Sequence, residues 1–160
     1  GSNPPRMRIL LMSSVKRIQF STQISAPVAT VFDVMLAPET YRDWTSAFMP
    51  GSYYQGSWAA GEKIRFLSPS GEGMYSEVAE YRPNEFVSIR HLGFINAQGD
   101  IDTTSEAVRK WTPAYENYTF TEISGGTKLV VDQDVTEDYE TQMTESWNNA
   151  LKRLKELCER

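Results

Sequence analysis

Near the end of the chain, Met143, Trp147, Ala150, Leu151, Leu154, Leu157 and Cys158 recur at steps of three and four, while Lys152, Arg153, Lys155, Glu156 and Glu159 lie between them. That spacing gathers the apolar side chains on one stripe of an α-helix, and such a stripe has to be laid against another surface. The other helical patterns in the sequence are short, so the surface has to be a sheet. Acidic Glu137, Asp138 and Glu140 near the helix start and basic Lys152, Arg153 and Lys155 later in it complement the helix dipole.

The rest of the chain supplies that sheet. In Lys16–Ile24 the apolar residues Ile18, Phe20 and Ile24 alternate with polar ones, the period of a half-buried strand. Pro27 stands where a helix would begin, with its fixed φ suited to the first helical position, and Val28, Val31, Phe32 and Met35 follow at helical spacing. Pro38 interrupts that helix and starts a second, Glu39 to about Thr45, carrying Tyr41 and Trp44. From Ser52 onward the period is two. Turn signals at Ala59-Ala60-Gly61, Ser68-Pro69-Ser70-Gly71, Arg82-Pro83-Asn84-Glu85 and Ser124-Gly125-Gly126 divide it into strands near 52–58, 61–67, 73–81, 86–92, 114–123 and 127–135. Short hairpins make these strands antiparallel. The long connection from Gly93 to Pro113 is the exception, and Thr103-x-x-Glu106 within it reads as a capping box opening a short helix to about Trp111.

A length of 160 residues suits one domain, expected over 15–160. Residues 1–14 read as a leader, with Gly1-Ser2 as a cloning remnant and Met7 or Met12 as the natural start. Hydrophobic residues at 40% and charged residues at 23% fit a water-soluble globular chain, so no membrane insertion is expected. The net charge of −5 argues against a nucleic-acid partner. Cys158 is the only cysteine and His91 the only histidine, which excludes an intrachain disulfide, a multi-cysteine zinc site and any two-histidine metal site. A reducing, cytoplasmic location fits. Asp100 and Asp102 have the spacing of a metal loop without its further oxygen ligands, so a helix cap is expected there instead, and no metal or cofactor.

Strand, two short helices, six antiparallel strands and a long helix make an α+β layout in which the sheet curves around the last helix. The order and several local pieces resemble the SRPBCC superfamily, the START-related helix-grip fold shared with the birch-pollen allergen. Within it they resemble stand-alone proteins similar to the C-terminal domain of the activator of the ninety-kilodalton heat-shock-protein ATPase. The matching pieces are Ile24-Ser25-Ala26-Pro27-Val28-Ala29-Thr30-Val31-Phe32, Tyr41-Arg42-Asp43-Trp44, the Pro83 turn, Gly125-Gly126-Thr127-Lys128-Leu129 and Trp147-x-x-x-Leu151-x-x-Leu154-Lys155, together spanning residues 16–158. The resemblance implies a curved antiparallel sheet of about seven strands wrapped around the C-terminal helix, with a cavity between them for apolar or amphipathic small molecules. It also implies that Trp44, Phe66, His91, Tyr118 and Trp147 lie on elements turned toward that cavity. Fold alone does not choose among the uses of such a scaffold.

Strand parity adds polar groups to the wall. In Phe86-Val87-Ser88-Ile89-Arg90-His91, burying the β-branched Val87 and Ile89 turns His91 inward and Arg90 outward. Tyr118 and Phe120 likewise bring Glu116 inside, and Leu129, Val131 and Val135 bring Gln133 inside. An apolar space with a few convergent polar groups is how small-molecule sites look. His91 and Glu116 are then either an acid/base pair, as in a cyclase- or hydratase-like enzyme, or polar residues bonded to each other or to backbone near wet strand ends. Three functions remain in competition: non-enzymatic binding of a small hydrophobic or aromatic molecule, a co-chaperone-like protein partner acting through its surface, and catalysis by His91 and Glu116.

Overall fold

The computed structural model describes residues 14–160, so the expected leader lies, Ser14 apart, outside the described residues. The first strand, β1 (Val15–Ile24), leads into α1 (Val28–Leu36), α2 (Pro38–Trp44) and a 3₁₀ turn (Thr45–Ala47). There follow β2 (Tyr53–Gly56), β3 (Lys63–Leu67), β4 (Gly73–Arg82), β5 (Phe86–Ile95), β6 (Ile101–Asp102), α3 (Glu106–Arg109), β7 (Ala114–Ile123) and β8 (Gly126–Thr136). A 3₁₀ turn (Glu137–Tyr139) then opens α4 (Glu140–Cys158). The strands form one antiparallel sheet in the order β1-β8-β7-β5-β4-β3-β2, with two-residue β6 paired to the end of β5. This is the α+β helix-grip arrangement: a curved sheet closed by the last helix, with two short helices after the first strand.

The α4 stripe behaves as its spacing requires. Trp147, Ala150, Leu151, Leu154 and Cys158 are buried in one core with Val31, Phe32 and Met35 of α1 and with Val87, Ile89, Leu129 and Val131 of the sheet. Arg153 on the helix flank reaches α2 and clamps Asp43 in two parallel bonds of 2.6 and 2.9 Å. Backbone conformation fits the turn residues: Asn84, in the tight β4–β5 turn, takes φ 65°, a left-handed conformation that asparagine tolerates.

Local details differ from expectation where sequence spacing admits two solutions. Pro27 is the N-cap of α1, with ψ 151°, so Val28 is the first helical residue. Pro38, by contrast, sits within the first turn of α2. The Thr103–Glu106 capping box does not form. Ser105 caps α3 instead, its Oγ accepting the Val108 N–H at 3.3 Å, and the helix ends at Arg109. Asp102 Oδ1 accepts the N–H groups of Thr104 and Ser105 at 3.1 and 3.0 Å, so this aspartate organises the entry to the helix. The strand expected to end at residue 92 continues to Ile95, paired there with β4 on one side and β6 on the other. Gly93 permits the approach, since a Cβ there would fall 2.0 Å from the Asp102 carbonyl oxygen. Among the described residues no helix is long and apolar enough to cross a membrane.

Candidate functional site

Beneath α4 the concave face of the sheet is not filled completely. A cavity of about 220 Å³ lies between the N-terminal half of the helix, α2 with its 3₁₀ turn, and the inner faces of β3, β4, β7 and β8. Ring faces and edges make much of its wall: Tyr41, Trp44 and Phe48 from the α2 region, Phe66 from β3, Tyr118 from β7 and Trp147 from α4. Trp147 stacks on Trp44 at 5.8 Å and meets Phe48 edge-on at 5.0 Å. Offset and edge-to-face contacts of this kind are the favoured ring geometries.

Polar groups enter this wall through the β7–β8 pairing. Glu116 and Gln133 are direct cross-strand partners, so their side chains share the inner face, and Tyr118 follows Glu116 two residues along. Gln133 Oε1 accepts the indole N–H of Trp147 at 3.1 Å, which fixes the amide and the ring together. Glu116 accepts at both oxygens, with His91 Nε2 at 3.0 Å from Oε1 and the Tyr118 hydroxyl donating to Oε2. On the far side of the imidazole, Nδ1 is 2.7 Å from Ser76 Oγ. A consistent proton assignment has Ser76 O–H donating to Nδ1 and Nε2–H donating to Glu116. The result is one continuous chain, Ser76–His91–Glu116–Tyr118. Burial holds the Tyr118 phenol well above its usual ionisation range, reinforced by the Glu116 charge. Tyr41 is raised for the same two reasons, burial first.

Six of the seven residues expected at the site, Trp44, Phe66, Glu116, Tyr118, Gln133 and Trp147, line this one cavity. His91 does not line it. The ring points inward as parity requires, yet it is 1% exposed, and Ser76 beyond it is 0% exposed. Phe66 meets the imidazole edge-on at 5.9 Å and Trp111 stacks on it at 5.5 Å, so aromatic rings and the Glu116 carboxylate surround it. His91 therefore acts on the space only through Glu116.

Among the large apolar wall residues, sequence reasoning missed Tyr41, Phe48, Leu67, Met74 and Met143. A signal existed for two of them. Tyr41 precedes Trp44 by three residues on the same helix, which places both on one face, and Met143 precedes Trp147 by four on the α4 stripe, which places it beside a residue expected at the cavity. Phe48 follows an irregular turn and carries no periodicity. Of the aromatic residues outside this wall, Tyr54 and Trp58 pack in a cluster with Phe66, and Tyr81 packs on Phe32. Tyr53 lies beneath Arg42 and Tyr75 beneath Arg65. Phe94 and Trp111 lie instead on a second, open groove.

Residues 25–159 match the family described as Activator of Hsp90 ATPase homolog 1-like protein. Solved structures share the fold at low identity. The Aha1 dimer from Colwellia psychrerythraea is 18% identical with a TM-score of 0.69, over 90% of this chain and 96% of that one. A protein from Rhizobium leguminosarum is 16% identical with a TM-score of 0.66, over 92% and 96%. One from Chromobacterium violaceum is 20% identical with a TM-score of 0.63, over 90% and 97%. No curated protein matches the sequence.

Proposed function

The chain belongs to the family of Activator of Hsp90 ATPase homolog 1-like proteins, and we propose that it uses the helix-on-sheet architecture to bind a small hydrophobic or aromatic molecule without transforming it. The observation that carries this reading is the space under α4, about 220 Å³ with an aromatic wall, where Glu116, Tyr118 and Gln133 converge from β7 and β8 and Thr45, Ser52, Ser68 and Glu72 add further polar groups to the lining. An apolar cavity of roughly 150 Å³ is enough for benzene, so a ring system of one or two fused rings fits here. Rings offer large, rigid contact area to such a ligand, and the few polar groups set its orientation. The family description refers to activation of the Hsp90 ATPase; a role confined to the protein surface has no use for an unfilled, polar-tipped cavity, which is why ligand binding is preferred.

One observation favours a second reading. The 3.0 Å contact between His91 and Glu116 is what an acid/base pair needs, with Glu116 as the group at the wall and His91 holding it. Against that stand the burial of His91 and the engagement of both imidazole nitrogens, which leave the ring no direct contact with a substrate in the cavity. A hydrogen-bonded carboxylate that only orients a ligand accounts for the same geometry.

The test is binding of an environment-sensitive apolar dye to the folded chain. Saturable one-to-one binding that raises Tm is expected, because a ligand preferring the native state stabilises it by mass action. Dye binding confined to the acid-unfolded form would remove the case for a preformed site.

A further inference from the structure

A second hollow continues the line of the first. Its volume is about 740 Å³, and its walls come from Phe94 at the end of β5, Ala107 and Trp111 around α3, Val135 on β8, and Tyr139 and Met143 at the start of α4. Among the described residues the two spaces share a single lining residue, Met143. Along α4 and the turn before it, Tyr139, Met143 and Trp147 recur every four residues, about 6 Å apart per step, with Tyr139 on the outer space, Trp147 on the inner one and Met143 on both. The opposite wall repeats the order. Gln133 and Val135 are two residues apart on the inner face of β8, the first under the inner cavity and the second under the outer groove. Helix and strand therefore describe one trough, interrupted at Met143.

The outer part carries an unusual surface for a soluble protein. Phe94 is 41% and Tyr139 58% exposed, and Phe94 lies parallel to Trp111 at 5.0 Å, with Trp111 in turn stacked on His91. Large exposed rings gathered in a groove mark a binding surface. Lys110, Asp134 and Asp138 also line this groove, and with Asp134 paired to Arg17 at 2.8 Å the remaining charges nearly cancel, so it offers little field for a strongly charged partner. Methionine is the side chain best suited to a movable partition, being unbranched and polarizable with low barriers between packings.

We propose that Met143 divides a single ligand site and that the ligand is elongated. A ring bearing a hydrogen-bond donor occupies the inner cavity, and an apolar tail passes Met143 into the groove between Phe94, Trp111 and Tyr139. The donor follows from Glu116: two of its lone-pair sites are taken by His91 and Tyr118, and a carboxylate offers about four. The proposal rests on the small-molecule reading above and adds the shape and polarity of the molecule.

A para-alkylphenol series, from phenol to para-hexylphenol, tests it on the full chain by titration calorimetry. Phenol is expected to bind one-to-one, and each added methylene to tighten binding by up to about fourfold, the transfer value for a buried methylene. Ala107→Trp fills the outer groove from exposed α3 and is expected to flatten that dependence while leaving phenol within about twofold of wild type. Met143→Ala, which opens the partition, is expected to raise the ratio of para-hexylphenol to phenol affinity; an unchanged ratio would contradict the divided site. If phenol binds but para-hexylphenol binds no tighter in wild type, or if Ala107→Trp keeps the full chain-length dependence, the divided site is refuted and the inner cavity stands. If no member of the series binds, the small-molecule reading falls with it.

Discussion

Replacing Trp147 with alanine removes the ring around which α2, β8 and α4 meet. The indole is 1% exposed and lies within 6.2 Å, centroid to centroid, of Phe20, Trp44, Phe48 and Tyr118. Truncation of such a ring costs about 3–5 kcal/mol, combining lost transfer energy with the hole left behind. Two features of the site pull that figure in opposite directions. The Gln133 acceptor loses its indole donor, which adds up to about 1–3 kcal/mol if nothing replaces it. Because Gln133 borders the existing cavity, water can reach it there, so the low end of that addition applies. Trp147→Phe keeps a ring but deletes the donor together with part of the indole volume, with an expected loss of about 1–3 kcal/mol, smaller than that of alanine. Urea melts of both variants measure the difference, and for a domain of this size the alanine variant should melt roughly 10 °C lower. An alanine variant that loses less than about 1 kcal/mol would show that Trp147 is not a core residue and that the sheet does not depend on the α4 stripe.

Three further outcomes follow from named contacts. His91→Gln, which keeps a donor and an acceptor but cannot span Ser76 and Glu116 in the same way, should cost about 1–2 kcal/mol in a denaturant melt. Any turnover found by substrate screening should survive that substitution, whereas a fall of roughly 10²–10⁴-fold with the fold intact would make His91 part of an acid/base mechanism. The Arg153 hydrogen bonds hold the Asp43 carboxyl below the usual carboxylate range, so this pair stabilises the fold fully above about pH 4 and loses its effect as pH falls through the lowered value. Asp43→Asn should accordingly lower Tm by roughly one to three degrees at neutral pH and converge with wild type in acid; a gap that persists at pH 2 would contradict the assignment. Burial pushes the Cys158 thiol up to about 11, so a thiol reagent at pH 8 should label it only after addition of urea, and rapid labelling of the native protein would mean that the end of α4 frays.

Strand parity placed Glu116 and Gln133 on the inner wall because the strands concerned are regular. The β7–β8 register runs without interruption from Glu116–Gln133 to Ile123–Gly126, so one correct inward residue fixes all the others. The same held for Val87, Ile89 and His91. What parity does not convey is depth: it turns His91 inward without revealing that Trp111, from a connection with no periodicity of its own, comes to lie across the imidazole. Helix ends were legible only as far as their caps are unique. Thr103 and Ser105 are both competent N-caps, and Asp102 decides between them by taking the N–H groups of Thr104 and Ser105.

The outer groove was illegible for a more specific reason. Tyr75 pairs with Gly93 and Ser76 with His91, which leaves Leu92 as an extra residue on β5. An inserted residue reverses the alternation beyond it. Carried straight through from His91, the alternation puts Phe94 on the outer face; the bulge instead returns it to the concave side as the partner of Met74, itself a wall residue of the inner cavity. That reversal brings the Phe94 ring against Trp111 and creates the apolar floor of the groove. Deleting Leu92 should therefore do more than shorten a strand. It would restore the alternation, turn Phe94 outward and remove the floor, leaving Glu116 and Trp147 in place because neither lies on β5. Expected in that variant is unchanged phenol binding with no gain from an alkyl tail, read by the same calorimetric titration. If the tail still tightens binding there, the groove does not owe its floor to the bulge.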